Sequence, residues 1–157
     1  MKTTRRNGCF ETNSSSSHSI SISPGNFHNR AAALSGLDKS FPVTASYTDC
    51  NGVEHKDCVV LTGGEFGWGR EDYNDTLTKA NYIAQHFSEC RDTESYKLFE
   101  SVILKVSGAK ELVIDAGGGY IDHQSTGTAN DALESEDVLW DYLFNPGSVL
   151  IIDNDNN

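Results

Sequence analysis

Methionine occurs once and proline three times in this chain, and no apolar run approaches the length that crosses a bilayer. A membrane span is therefore not expected. Bases are also scarce, 12 against 23 acids, for a net charge of −11. The average field repels a phosphate backbone, which argues against non-specific nucleic-acid binding. Lys2, Arg5 and Arg6 are followed by no hydrophobic stretch, so no signal peptide is expected either. The four cysteines, Cys9, Cys50, Cys58 and Cys90, contain no C-x-x-C pair. None of the five histidines, His18, His28, His55, His86 and His123, has a histidine four residues away, and H-E-x-x-H does not occur, so no metal is expected. Neither G-x-G-x-x-G nor G-K-[ST] is present, which removes the familiar nucleotide fingerprints and leaves the cofactor unknown.

What is present suits a globular domain. With 157 residues, 37% of them hydrophobic and 10% aromatic, residues 1–157 read as one domain with a core of its own. Residues 1–16 read as a polar N-terminal loop segment. SISIS (19–23) alternates as a short strand. A short helix fits NRAAALSG. Asn51-Gly52 signals a hairpin with strands near 43–49 and 53–61. A two-residue turn there would pair Cys50 with Val53 and set Cys58 opposite Ala45, on different faces. All four thiols are accordingly expected to be free, in a reducing cytoplasm.

Helical spacing follows. Tyr73, Leu77, Ala80, Ala84 and Phe87 form one stripe; Tyr96, Phe99, Val102, Ile103 and Val106 form the next, closed by Gly108. SEDVLWDYLF (135–144) is a third helix. ELVID (111–115) and SVLIID (148–153) read as strands, the second apolar enough to be covered on both faces. Joined by that third helix they predict a C-terminal βαβ unit. The expected class is α+β: a mixed β-sheet, a β-hairpin, one βαβ unit and about three helices. His86, off its helix's stripe, is expected to face solvent.

Three stretches carry the chemistry. FETNSSSSHS (10–19) offers the hydroxyls and N–H groups of Ser14, Ser15, Ser16 and Ser17, the amide of Asn13, and Arg5 and Arg6 upstream. Folded tightly, such groups make an anion-binding nest. Glu11 and His18 are its titratable members. Ser17 is a poor nucleophile for His18, since adjacent side chains point apart on an extending chain. A solvated serine-rich tail is the plain alternative. DAGGGYIDHQSTGT (115–128) brings Gly117, Gly118 and Gly119 for close backbone approach, then Asp122, His123, Gln124 and Ser125. A surface turn is the alternative there. EFGWGRED (65–72) offers Trp68 for stacking, although Phe66 and Trp68 more commonly plug a core.

The phrase from Arg5-Arg6 through FETNSSSSHS resembles the opening of a group of uncharacterised phage and bacterial proteins, which begin with one or two arginines and then a phrase close to VFETNSSSxHS. Cys9 stands where that group usually has valine, and YIDHQS (120–125) is similar to a second phrase of theirs. The likeness covers ten to fifteen residues. It implies a phage-type accessory protein in the cytoplasm of a bacterial host, with no activity attached, and it makes an ordered loop a better expectation than a tail. Put together, the residues predict a polar pocket for a small anionic ligand, a nucleotide or other phosphate compound. Its acid–base candidates are His18, His123, Asp122 and Glu11, and hydrolysis or modification of the ligand is open. Two other classes remain: a non-enzymatic inhibitor or adaptor that meets a host protein through its acidic surface, and a virion component.

Overall fold

The computed structural model describes residues 2–7, 16–25, 27–36, 38–67, 71–90, 92–122 and 127–154, with the backbone alone for residues 2–7, 16, 17, 27–29, 153 and 154. The fold is α+β. Strands β1 (Lys2–Asn7) and β2 (Ser16–Ile22) come first, then helix α1 (Phe27–Leu34) and the hairpin β3 (Thr44–Thr48) and β4 (Glu54–Leu61). Two short strands, β5 (Glu65–Phe66) and β6 (Glu71–Tyr73), precede helices α2 (Thr76–Glu89) and α3 (Thr93–Ser107). The chain closes with β7 (Glu111–Ile114), β8 (Tyr120–Ile121), the single turn α4 (Ala129–Ala132), α5 (Glu136–Phe144) and β9 (Val149–Asn154).

Three sheets form, in the orders β1-β2-β9-β6, β3-β4-β7 and β5-β8. Helices bridge them: α5 lies against β2, α3 against β4 and β7, and α2 against α5, β4 and β8. One continuous apolar cluster results, running from Ile20 and Ile22 through Tyr82, Ile83 and Phe87 to Leu139, Leu143 and Leu150. α2 is enclosed rather than amphipathic, with every residue from Lys79 to Phe87 buried except Asn81. That is why His86, off the stripe, is buried and not solvent-facing, its ring 5.4 Å from Phe87. The helix begins on the Asp75 carboxylate, which accepts from Thr78 N–H at 2.8 Å, and α5 begins on the Ser135 hydroxyl in the same way. No helix among the described residues is long and apolar enough to cross a membrane.

The sequence expectations are corrected at several further points. The C-terminal βαβ unit does not form. β7 runs parallel to β4, Leu61 opposite Ile114, while β9 runs antiparallel to both β2 and β6 in another sheet. The apolar run of β9 reflects its central place between two strands, which a parallel neighbour would have produced equally. Residues 1–16 are not all loop: Lys2–Asn7 is a strand, placing Arg5 opposite Ser19 and Arg6 opposite His18. Its charged, apolar-poor sequence is that of an edge strand. The described residues hold five helices, α1 and α4 being short.

The hairpin register also differs by one residue. Asp49 N–H donates to Val53 at 2.9 Å, so the loop is Cys50-Asn51-Gly52, with Gly52 at φ 81°, and Cys58 faces Thr44. A left-handed glycine serves a three-residue loop as well as a two-residue one. Cys50, Cys58 and Cys90 are free, as expected; Cys9 lies outside the described residues.

The tip of the hairpin returns over β7. Tyr47 O–H donates to Asp115 at 2.6 Å, and His55 Nδ1 lies 2.8 Å from Glu111. Tyr47 pairs with His55, whereas Asp115 binds Leu61. On a straight strand about 20 Å would separate those levels. β4 therefore bends, and the bend falls at Asp57, a non-glycine residue in left-handed backbone at φ 49°. This hairpin thus covers the carboxyl end of β7, where Tyr47 meets Asp115.

Candidate functional site

The site begins with the alternation of β2. Every second residue of SSHSISI turns to one face, so His18 stands in the same row as Ile20 and Ile22, where the core expects an aliphatic side chain. His18 is 0% exposed. Its Nδ1 lies 3.2 Å from the hydroxyl of Tyr82, itself fully buried on α2 and packed edge-on against Phe66, with ring centres 5.0 Å apart. Its Nε2 has no hydrogen-bond partner. Thr128, one residue before α4, donates from Oγ1 to the carbonyl oxygen of His18 at 3.3 Å. Asp122, 5% exposed, follows β8, its N–H bonded to the Phe66 carbonyl at 2.9 Å.

Burial pushes the His18 pKa down to about 4, with the Asp122 charge opposing part of the shift. At neutral pH the ring is uncharged. Burial likewise holds the Tyr82 phenol well above its ordinary value, so that group is a neutral hydroxyl. The centre is thus a hydroxyl pair and an uncharged imidazole, with one carboxylate near enough to be felt.

The sheet gathers the flanks of all three sequence stretches around this centre. Ile152 on β9 has His18 opposite it on one side and Glu71 on the other. Phe66 pairs with Ile121, and Thr128 is bonded to His18. Segments 8–15, 68–70 and 123–126 therefore leave from residues that surround His18. Glu11, Asn13, Ser14, Ser15, Trp68, His123, Gln124 and Ser125 lie within those segments, outside the described residues. Asp122 lies near enough for its charge to act on His18, and Arg6 stands opposite His18 in the strand register.

The glycines do something else. β8 separates Gly117–Gly119 from Asp122, and α2 holds the backbone on their side. Asn81 accepts from Gly63 N–H at 3.0 Å, Gln85 from Gly64 at 3.1 Å, and Glu89 from Ile121 at 2.9 Å. These three side chains recur every four residues along one helix face. A Cβ on Gly119 would run into the Gly64 carbonyl and the Gln85 side chain, whereas Gly117 and Gly118 have open space. Gly119→Ala is therefore expected to cost about 2 kcal/mol through displaced backbone. Gly117→Ala and Gly118→Ala should stay within about 0.5 kcal/mol of the parent. Urea unfolding of the three variants checks this; equal effects would mean the tight contact is not what fixes the turn.

Tyr82 and Thr128 were not legible as site residues. The one available signal was a tyrosine on α2 outside the apolar stripe. Among the described residues no group of His, Cys, Asp and Glu could hold a metal ion. No known protein family, characterised protein or solved structure matches this chain.

Proposed function

We propose that this is a ligand-binding protein of the phage-accessory kind, with His18 as the buried base of a polar site for a small hydroxyl- and phosphate-bearing compound, a nucleotide being the preferred class. One observation carries the reading: a fully buried imidazole nitrogen with no partner, at the point where three polar segments depart. A core histidine kept only for packing normally has its ring nitrogens paired, because an unpaired buried polar atom destabilises the fold. Arg5, Arg6, the serines of 14–17, Gln124 and Ser125 are the proposed donors to the anion. His123 and Glu11 are proposed to share the acid–base work with His18 and Asp122. A base of this kind supports hydrolysis or modification of the bound compound.

A thermal-shift screen against nucleotides, cyclic nucleotides, dinucleotides and sugar phosphates tests it. A ligand at one hundred times its Kd adds about 2.7 kcal/mol, a rise in midpoint of about 5–10 °C for a domain of this size. His18→Ala should still fold and lose that rise. No rise with any compound, or a rise that survives His18→Ala, rejects the reading. The net charge of −11 would then favour the other class, an inhibitor or adaptor that meets a basic face of a host protein.

A further inference from the structure

The outer half of the β3–β4 hairpin is held to the protein by hydrogen bonds rather than by core packing. From Ala45 to Lys56 every residue is exposed except Tyr47, Asp49 and His55, and none belongs to the apolar cluster. Those three make the contacts. Tyr47 donates to Asp115, just past the end of β7, at 2.6 Å. The His55 ring is shared between two carboxylates: Nε2 lies 2.9 Å from Asp49 in the hairpin's own loop, and Nδ1 lies 2.8 Å from Glu111 on β7. These are the charged groups that act on the ring, since nearby Lys56 is engaged by Glu54 and Lys110 by Asp57. The arm turns at Asp57, whose left-handed backbone (φ 49°) is unfavourable for a residue with a side chain. Lys110 pins that bend, its N–H donating to the Asp57 carbonyl at 2.8 Å and its Nζ to the carboxylate at 2.7 Å. The base of the arm is fixed, and its tip is tied down by side chains that titrate.

We propose that this arm is a pH-released strap, which lies across the carboxyl end of β7 while His55 is an imidazolium and swings out about Asp57 once the ring is neutral. A neutral imidazole has one N–H and one lone pair, so it serves only one of the two carboxylates and its lone pair repels the other. Asp49 is the partner it keeps. That carboxylate also accepts from the N–H groups of Asn51 at 2.9 Å and Val53 at 3.0 Å, and its side chain is 16% exposed. The Glu111 side chain is 43% exposed and gains water by turning away. The bond that breaks is therefore the one between arm and body. Tyr47 is then left to hold the tip against the strain at Asp57. Asp49 and then Glu111 raise the His55 pKa above its ordinary 6.5. The strap is accordingly closed below pH 6.5 and releases as pH rises through the higher folded value. What it uncovers is Asp115, the residue that leads from β7 into the Gly117–Gly119 turn.

NMR on the labelled full chain between pH 6 and pH 9.5 tests the strap. At pH 6 the Tyr47 ring should show proton–proton contacts to Asp115. At pH 9.5 those contacts should be lost, with a midpoint that coincides with the titration of the His55 ring in the same samples. Glu111→Gln supplies the decisive comparison. The new amide can donate to the Nδ1 lone pair while Nε2–H donates to Asp49, so a neutral ring satisfies both neighbours. The contacts of Tyr47 should then persist at pH 9.5 although His55 has lost its proton, a rescue that a merely structural role for Glu111 would not produce. Glu111 lies outside the apolar cluster, so the variant is expected to fold. Contacts already absent from the parent at pH 6, contacts unchanged in the parent at pH 9.5, or release of Glu111→Gln at the parent's midpoint would each overturn the proposal.

Discussion

Lys79→Ala is expected to destabilise the protein by about 3 kcal/mol, the largest effect of any single polar side chain described. Lys79 is 0% exposed, inside α2. Its Nζ donates to the carbonyl oxygens of Asn145 at 3.2 Å and Ser148 at 3.1 Å, and it lies 5.7 Å from the centre of the Tyr142 ring. Asn145 is the C-cap of α5, where unpaired carbonyls and the helix dipole favour a cation. Removing the amine leaves two carbonyls short of a donor, and removing the stem leaves a cavity. Against this stands the cost of burying a charge, visible in the pKa, which burial lowers to about 8 while Asp75 opposes. Lys79→Met keeps the stem and should lose about half as much. The pH dependence has a definite sign. The folded pKa lies below the unfolded value of 10.5, so the penalty on the charged form is full below about pH 8 and is relieved as pH rises from about 8 toward 10.5. Urea unfolding at pH 7 and pH 9.5 checks both. A Lys79→Ala variant within 0.5 kcal/mol of the parent, as an ordinary surface change would be, defeats the argument.

Nothing in the local sequence marks Lys79, and the reason applies to much of the chain. Helical periodicity located α2, α3 and α5, and the ELVI and VLII runs located β7 and β9, because those patterns are written over a few successive residues. Strand pairing is not. ELVI contains nothing that selects CVVL of β4, more than fifty residues earlier, over VLII of β9, since both candidate partners are short apolar runs. KTTRRN became a strand only through β2, its partner in the sheet. The polar stretch ending in His18 stood out through its composition, and the glycines stood out too. The structure assigns Gly119 to close packing and His18 to the core row. Tyr82 and Thr128 escaped because their significance is relational: each matters only through its bond to a residue at least sixty positions away.

His18 should dominate the acid side of the stability curve, with a loss of about 3 kcal/mol as pH falls from 6.5 to 4. The unfolded ring titrates near 6.5 and the folded ring near 4, so between those values the unfolded state binds more protons. Stability is therefore intact above pH 6.5 and is withdrawn progressively as the proton is forced onto a buried nitrogen. Two other sets of groups have to be separated from this. His55 works in the opposite sense. Its Nε2 lies 2.9 Å from Asp49 and its Nδ1 2.8 Å from Glu111, and only an imidazolium can donate to two carboxylates at once. Asp49 and then Glu111 raise its pKa, so its contribution is present below pH 6.5 and fades as pH rises through the folded value. The carboxyls held low by their partners, such as Asp49 by His55 and Asp115 by Tyr47, protonate below their usual value of 3.8 and act beneath the window of His18. His18→Gln removes the titrating ring and keeps a neutral polar side chain. Its unfolding free energy, followed by urea titration from pH 7 to pH 4.5, should be nearly level where the parent falls. Parallel curves for the two proteins would mean that His18 accepts its proton in the folded state, and a ring that charges so readily would not be the neutral buried base proposed for the site.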